Sequence, residues 1–582
     1  MNLDHSLTGR RWVLRSGDDR VALGIAQRLG LPELVGRLLA GRGLDLELAG
    51  HFLQPTLRAL MPDPSTLAGM DGAADRLSHA IRIGETVAVF GDYDVDGACS
   101  AAIVTLLIRQ FGGTVLTHVP DRMLEGYGPN APALLGLVAK GATLIVCVDC
   151  GTAAASALAA VAGLADVVVL DHHATDGPPP PILATVNPNR LDCASGLGSS
   201  CAAAIAFMAA IATVRALRRS GFFATRAEPD LRELLDLVAL ATVCDVMPLQ
   251  GLNRALVTQG LRVMARRARP GIAALLEAAA ANGVPTAMTL GFALGPRINA
   301  AGRISDSSLG LRLLLTTDPV EARALAAQLD STNRDRQVVE AGMMEDALAQ
   351  AEAQSRAGRA ALLISGEGWH AGVVGIVAGR LKERLNRPVC VAAIADGVAK
   401  GSGRSVPGVD LGQAVMAARQ AGLLSAGGGH RMAAGFTAAA DGLAAFHEFL
   451  DERLAHAAAL PARADLAVEG SIAVGGATVE LAQHLSCLSP FGNGNEEPAF
   501  VLPRAAVVRA ERIGREAGTI RAWLTGEDGG RLKALMFRAG DGPIETALLG
   551  RGGPLHLAGH LRAEEWNGVT SASFFITDAA SA

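Results

Sequence analysis

Residues 87–97 read Val-Ala-Val-Phe-Gly-Asp-Tyr-Asp-Val-Asp-Gly, an apolar run that breaks at Gly91 into a loop carrying Asp92, Asp94 and Asp96. Three carboxylates in five residues repel one another if they converge, unless cations or protons compensate them. An isolated pair of this kind is ordinarily a solvated acidic turn. Further groups tip the reading towards chemistry. The apolar run 144–148 ends at Asp149, followed by Cys150 and Gly151, and the run 167–170 ends at Asp171, His172 and His173. A third run, 237–243, leads to Asp245. One strand ending in Asp is usually a turn residue or a helix cap, but four such segments exceed what capping needs. If all four face one rim, six carboxylates and two imidazoles meet there. Two divalent cations would neutralise that cluster, and oxygen-rich ligands with one imidazole suit Mn²⁺ or Mg²⁺ better than zinc.

The elements that must deliver these groups follow from periodicity. The acidic loop leads into an apolar helix at 98–109, then a strand at 114–119, a helix at 131–138, the strand 144–148, a helix at 153–164 and the strand 167–170. Strands alternating with helices imply a parallel sheet covered on both faces. In such sheets ligands sit outside the carboxyl ends of the strands, where these acidic groups fall. The first 50 residues read as a helical preamble (1–50), and the unit carrying the acidic motifs is expected at 51–316. Asp318, Pro319 and Glu321 form a capping box with proline at the first helical position. The connecting helix they open is expected over 317–356. A second α/β unit, 357–462, has strands at 361–364 and 389–394 around a helix at 373–385, and glycine-rich loops at 400–405 and 427–430. From 463 to 582 the pattern turns to hairpins, 519–525 with 532–537 and 555–564 with 571–578, implying a small antiparallel barrel.

Composition sets the outer bounds. The chain has 582 residues, 50% hydrophobic and 19% charged, enough for several cores. Its longest uncharged apolar stretch, 201–214, is too short to span a bilayer, and the N-terminus lacks the apolar core of an export signal. Eight scattered cysteines fit buried thiols in a reducing cytoplasm, so a cytoplasmic location is expected. A net charge of −5 gives no global nucleic-acid signature, so any phosphate-binding surface has to be local.

Asp-x-Asp, Asp-Cys-Gly, Asp-His-His and a later Asp are together similar to the four motifs of the DHH phosphoesterase superfamily. The likeness extends through Val119-Pro-Asp-Arg122, Glu125-Gly-Tyr-Gly128, Gly295-Pro-Arg-Ile-Asn-Ala-Ala-Gly-Arg303, Trp369-His-Ala-Gly-Val373, Gly401-Ser-Gly-Arg-Ser405, Gly428-Gly-His430 and Pro490-Phe-Gly-Asn-Gly-Asn495. These run in order along nearly the whole chain and resemble the bacterial single-strand-specific 5′→3′ exonucleases of that superfamily. The resemblance implies an α/β protein: a DHH domain with a parallel sheet and a DHHA1 domain, joined by a long helix, and a C-terminal OB-fold barrel. It implies two Mn²⁺ or Mg²⁺ ions held by Asp94, Asp96, Asp149, His172 and Asp245, with Asp149 bridging and Asp92 a ligand or a supporting group. Asp96, Asp149, Asp171 and His173 would act in catalysis, His173 facing the scissile phosphate and Asp171 orienting an imidazole.

By the same resemblance Ser402 and Arg404, with Arg122 and Arg303, would hold a 5′-terminal phosphate, and Arg297 is a further contender. Trp369 and His370 would meet the nucleotide, though a buried Trp with a structural His reads the same way, and the Gly428, Gly429 and His430 loop would approach it. Trp523, Trp566, Phe537 and Arg521 could stack on a strand in the barrel, though barrel-core aromatics read the same way. The expected activity is release of 5′-mononucleotides from single-stranded DNA in repair and recombination, by a monomer fed by a helicase or single-strand-binding protein. Two alternatives stand: a phosphodiesterase for short oligonucleotides or cyclic dinucleotides, and a non-catalytic replication scaffold. The terminal barrel weighs against the first, and the complete set of acidic positions against the second.

Overall fold

The computed structural model describes residues 3–582 except 123, 176, 462, 515–516, 551 and the side chain of Trp566. Its first sheet has five parallel strands in the order Thr114–His118, Thr86–Gly91, Leu144–Val148, Asp166–Leu170 and Ala184–Val186. Alternate residues of one strand feed two separate cores: Val87 and Val89 face the helices Val95–Gln110 and Ala202–Arg219, while Ala88 and Phe90 face Ala131–Ala139. Burial on both faces explains why these strands are apolar throughout instead of alternating.

Two expectations about this sheet change. The run 237–243 belongs to the buried helix Leu235–Cys244, so Asp245 arrives from a helix end and not from a strand. A helix enclosed on all sides has no polar face, and its apolar run mimics a buried strand. The helix expected at 153–164 contracts to Ala155–Leu158 and the 3₁₀ turn Ala159–Val161.

The 38-residue helix Pro319–Arg356 opens at Asp318, whose carboxylate accepts the Val320 N–H at 2.8 Å. At 1.5 Å per residue it is about 57 Å long. Leu325 and Leu329 are buried in the first core, Met343, Ala347 and Ala351 in the next. One rigid rod thus sets the spacing of the two α/β units.

The second sheet runs Ala426–His430, Ala433–Ala439, Val398–Arg404, Val389–Ala395 and Leu362–Glu367, antiparallel except for the last pair. Both glycine-rich segments expected as loops are therefore strands. Glycine has low strand propensity, which hides them, yet the ring of Phe436 occupies the space of a Cβ on Gly401.

The C-terminal strands Phe500–Ile513, Thr519–Thr525, Arg531–Phe537, Val569–Ser581 and Leu555–Trp566 close a barrel. All pairs are antiparallel except Arg531–Phe537 with Val569–Ser581. The first residues of the chain pack on this barrel. Trp12–Leu14 pairs with Leu466–Val468, the Trp12 indole donates to Asp578 at 2.9 Å, and Ile25, Val35, Leu38 and Leu39 share the barrel core. Among the described residues, no helix is long and apolar enough to cross a membrane.

Candidate active site

The acidic loop turns directly into the helix Val95–Gln110, which Asp94 caps by accepting the Gly97 N–H at 3.0 Å. A Cβ on Gly97 would lie 2.5 Å from the Asp92 carbonyl oxygen, so only glycine lets this first turn close over Asp92. Asp96, on that turn, is 1% exposed, and its two oxygens accept the N–H groups of Ala202 and Ala203 at 2.7 and 2.8 Å. The positive end of the helix Ala202–Arg219 thereby supports a buried carboxylate.

Asp149 ends its strand in the left-handed region, at φ 59°. Two residues on, Gly151 has φ 112°, and a Cβ there would meet Val169 at 2.9 Å. The Asp-Cys-Gly sequence is thus a tight turn that aims one carboxylate back over the sheet. His172 Nε2 lies 3.3 Å from Asp149, 3.6 Å from Asp245 and 3.7 Å from Asp96. Asp171 accepts the backbone N–H groups of Thr152, His172 and His173 and the Nδ1–H of His173. Asn187 and Asn189 donate to the carbonyls of His173 and His172 at 2.9 and 2.6 Å, which fixes the peptide carrying both imidazoles.

Donor atoms of Asp92, Asp94 and Asp149 lie within 4.8 Å of one another, and so do those of Asp96, His172 and Asp245. Asp149 also groups with His172 and His173, which puts it between the two sets. Burial, then the neighbouring carboxylates, pushes Asp92 up to about 8 and Asp245 up to about 9, and holds Asp149 well above the usual carboxylate range. Asp171 behaves oppositely. Burial pushes it up, but the bond and charge of His173 and the donors of Thr152 outweigh this and hold it below the ordinary range. Burial would depress His173, yet Asp171 raises it to about 9. One oxygen each of Asp92, Asp149 and Asp245 is buried without a hydrogen-bond partner. A leftover acceptor of this kind is costly unless something else satisfies it. Oxygen atoms orphaned in this way, with one imidazole, are the donor set of a pair of hard divalent cations.

Family models match along the chain: DHH family, N-terminal domain, at residues 86–242; DHHA1 domain at 358–456; and RecJ OB domain at 468–578. The chain is 41% identical over 484 residues to the single-stranded-DNA-specific exonuclease RecJ of Dickeya dadantii, covering 81% of this chain and 83% of that protein. The chain belongs to the RecJ family. RecJ of Bacillus subtilis is 32% identical over 98% of this chain and 71% of its own. The structure of RecJ from Thermus thermophilus in complex with Mn²⁺ superimposes with a TM-score of 0.81, at 30% identity, covering 98% of this chain and 79% of that one. The same protein in complex with Mg²⁺ gives 0.75 at 28% identity, over 98% and 78% of the two chains.

Beside the acidic centre, Arg122, Arg303 and Arg404 form a cluster of like charge. Arg303 is lowered to about 10 by burial and by the other two, and Arg404 is lowered by burial and by Arg122. Arg404 donates to Ser402 at 2.9 Å, and both lie against Gly375 in the first turn of the helix Val374–Leu385. Arg122 stacks over Tyr93, 5.0 Å from the ring centre. The strand carrying Gly428 and Gly429 ends at His430, whose ring lies 6.5 Å from that of His173 at 27°. The edge of the second sheet thus borders the first domain's acidic rim.

Three expected residues have other partners. Arg297 bonds Asp330 at 2.9 Å and the Ala293 carbonyl at 2.7 Å, tying its helix to the long rod instead of standing free in the arginine cluster. The Trp369 indole lies on Gly366 against the second domain's core, and His370 accepts the Gly372 N–H at 3.1 Å. In the barrel, Arg509 and Arg521 lie 5.1 and 5.0 Å from the Trp523 ring, and Phe537 packs on Phe575. Trp566 is expected beside them, but its side chain is outside the described residues.

Tyr127 is a residue that motif spacing alone did not single out. Its hydroxyl reaches His173 at 3.2 Å and the Asp149 carbonyl at 3.3 Å. A signal existed: the chain has two tyrosines, Tyr93 and Tyr127, and both stand at this centre.

Proposed function

We propose that this chain is a metal-dependent exonuclease that digests single-stranded DNA from its 5′ end and releases 5′-mononucleotides. One observation carries the reading: buried, partnerless carboxylate oxygens of Asp92, Asp149 and Asp245 gather beside a cluster of arginines. Membership of a family whose named relatives are single-stranded-DNA-specific exonucleases supports it.

Asp92, Asp94, Asp96, Asp149, His172 and Asp245 would hold two Mn²⁺ or Mg²⁺ ions. When bound, such ions acidify the attacking water and offset charge on the phosphoryl oxygens. The protein's own groups do the rest. His173, charged through its bond to Asp171, faces the rim as a donor to a phosphate oxygen, and Tyr127 steadies its ring. Arg122, Arg303, Arg404 and Ser402 hold the terminal phosphate, by charge and by directed N–H groups. That placement sets polarity, because a bound 5′ end puts the next phosphodiester over the acidic rim. The barrel tracks the strand beyond, and delivery by a helicase or single-strand-binding protein in the cytoplasm belongs to the same proposal.

Incubation with Mn²⁺ and a long single strand labelled at either end tests this. Mononucleotides should appear at once from the 5′ label and late from the 3′ label. Cleavage confined to dinucleotides, or no cleavage, would replace the reading.

A further inference from the structure

The segment Pro490-Phe-Gly-Asn-Gly-Asn495 belongs to the barrel domain, yet it lies against the loop that carries Asp245 in the first domain. The Asn493 carboxamide donates to the Val246 carbonyl at 2.6 Å, and the Asn493 carbonyl accepts the Leu249 N–H at 2.8 Å. Gln250 donates to the Gly494 carbonyl at 2.8 Å. Both glycines of the segment are set by this contact. A Cβ on Gly492 would lie 2.8 Å from Leu249, and one on Gly494 3.0 Å from Pro248. Behind them the buried Arg254 donates to the carbonyls of Leu488, Ser489 and Pro490, and buried Asn495 donates to Leu488 and Pro490. The barrel loop is therefore rigid where it meets residues 246–250.

Val246 explains why rigidity is needed there. It follows Asp245 at the end of the helix Leu235–Cys244 with φ 57°, the left-handed position that glycine ordinarily fills. A β-branched residue in that conformation is strained, because its Cβ crowds the following carbonyl oxygen. Relaxation of Val246 would rotate the peptide behind Asp245 and turn its partnerless oxygen away from His172, 3.6 Å off. The Val246 carbonyl is the group Asn493 grips.

We propose that Asn493 is a positioning residue for Asp245: the barrel domain holds Val246 left-handed and so completes the acidic centre of another domain. This rests on Asp245 being a metal ligand, as in the function proposed above.

The test compares the full-length chain with Asn493→Ala and with Asn493→Asp, which keeps the shape but turns an acceptor towards the Val246 carbonyl. Bound Mn²⁺ is counted from the loss of the free-ion electron paramagnetic resonance signal, and kcat and KM are measured on a single strand. Both variants should bind one of two Mn²⁺ ions about tenfold more weakly, with kcat reduced and KM for the strand unchanged. Adding Val246→Gly to Asn493→Ala should recover most of the lost Mn²⁺ affinity, because glycine adopts the left-handed turn without a clamp. Unchanged Mn²⁺ affinity in both variants overturns the proposal. So does a lowered melting temperature with weaker binding that Val246→Gly leaves uncorrected, since that pattern marks a merely structural contact. Wild-type protein that binds no Mn²⁺ would instead overturn the nuclease reading itself.

Discussion

His173 Nδ1 lies 2.7 Å from Asp171 Oδ1, and the same oxygen accepts the backbone N–H groups of both His172 and His173. One carboxylate therefore fixes the peptide that presents the His172 imidazole to Asp149 and Asp245 and charges the neighbouring one. Asp171→Asn keeps the shape but puts an amide where four donors converge. Activity on a single strand should fall by about 10–100-fold, with the circular dichroism spectrum unchanged. A variant within twofold of wild type would remove this role from Asp171.

Asp149 groups with Asp92 and Asp94 on one side and with His172 and His173 on the other, and carries a buried oxygen with no partner. Asp149→Ala should abolish turnover, because the centre loses the carboxylate that stands between its two sets of donors. In the function proposed above strand binding rests on the arginine cluster and the barrel, so the dissociation constant for a 5′-phosphorylated strand should change by less than about threefold. Measurement in Ca²⁺ separates the two effects. Retained hydrolysis would remove Asp149 from the proposed metal-holding set.

How much of this was legible beforehand depends on the physics of each element. The acidic loop and the strands ending at Asp149 and Asp171 were readable because a strand buried on both faces is a short apolar run with an abrupt polar end. The segment before Asp245 is equally apolar, and only tertiary enclosure makes it a helix. The strands at Gly401 and Gly429 were hidden because those glycines answer to a ring and to a neighbouring backbone, not to strand propensity. The role of the Asn493 segment was illegible for a different reason. It contacts residues 246–250, more than 240 positions away, and no local pattern encodes the partner of such a contact.

Arg404 shares its cluster with Arg303 and Arg122, and burial together with that like charge lowers both Arg303 and Arg404. A phosphate dianion would relieve this repulsion. Arg404→Ala should therefore weaken the preference for a 5′-phosphate over a 5′-hydroxyl end by about tenfold, the worth of one charged hydrogen bond. Competition between the two strands in one digest measures the ratio directly. An unchanged ratio would count against a terminal-phosphate role.

Removal of metal should make stability depend on pH with a definite sign. Burial and neighbouring carboxylates raise Asp92 to about 8 and Asp245 to about 9. The folded, metal-free protein then binds more protons than the unfolded chain wherever the pH lies between an ordinary carboxylate value of about 4 and these raised values. Its stability falls as pH rises through that window. A chelator-treated sample should melt at progressively lower temperature from about pH 5 to pH 8. Mn²⁺ takes the place of the protons, so at a hundredfold excess over its dissociation constant it adds about 2.7 kcal/mol. The rise in melting temperature on adding Mn²⁺ should accordingly be larger at pH 8 than at pH 5. A chelated protein whose melting temperature is flat over this range, and is indifferent to Mn²⁺, would mean that these carboxylates are not the frustrated cluster that their burial indicates.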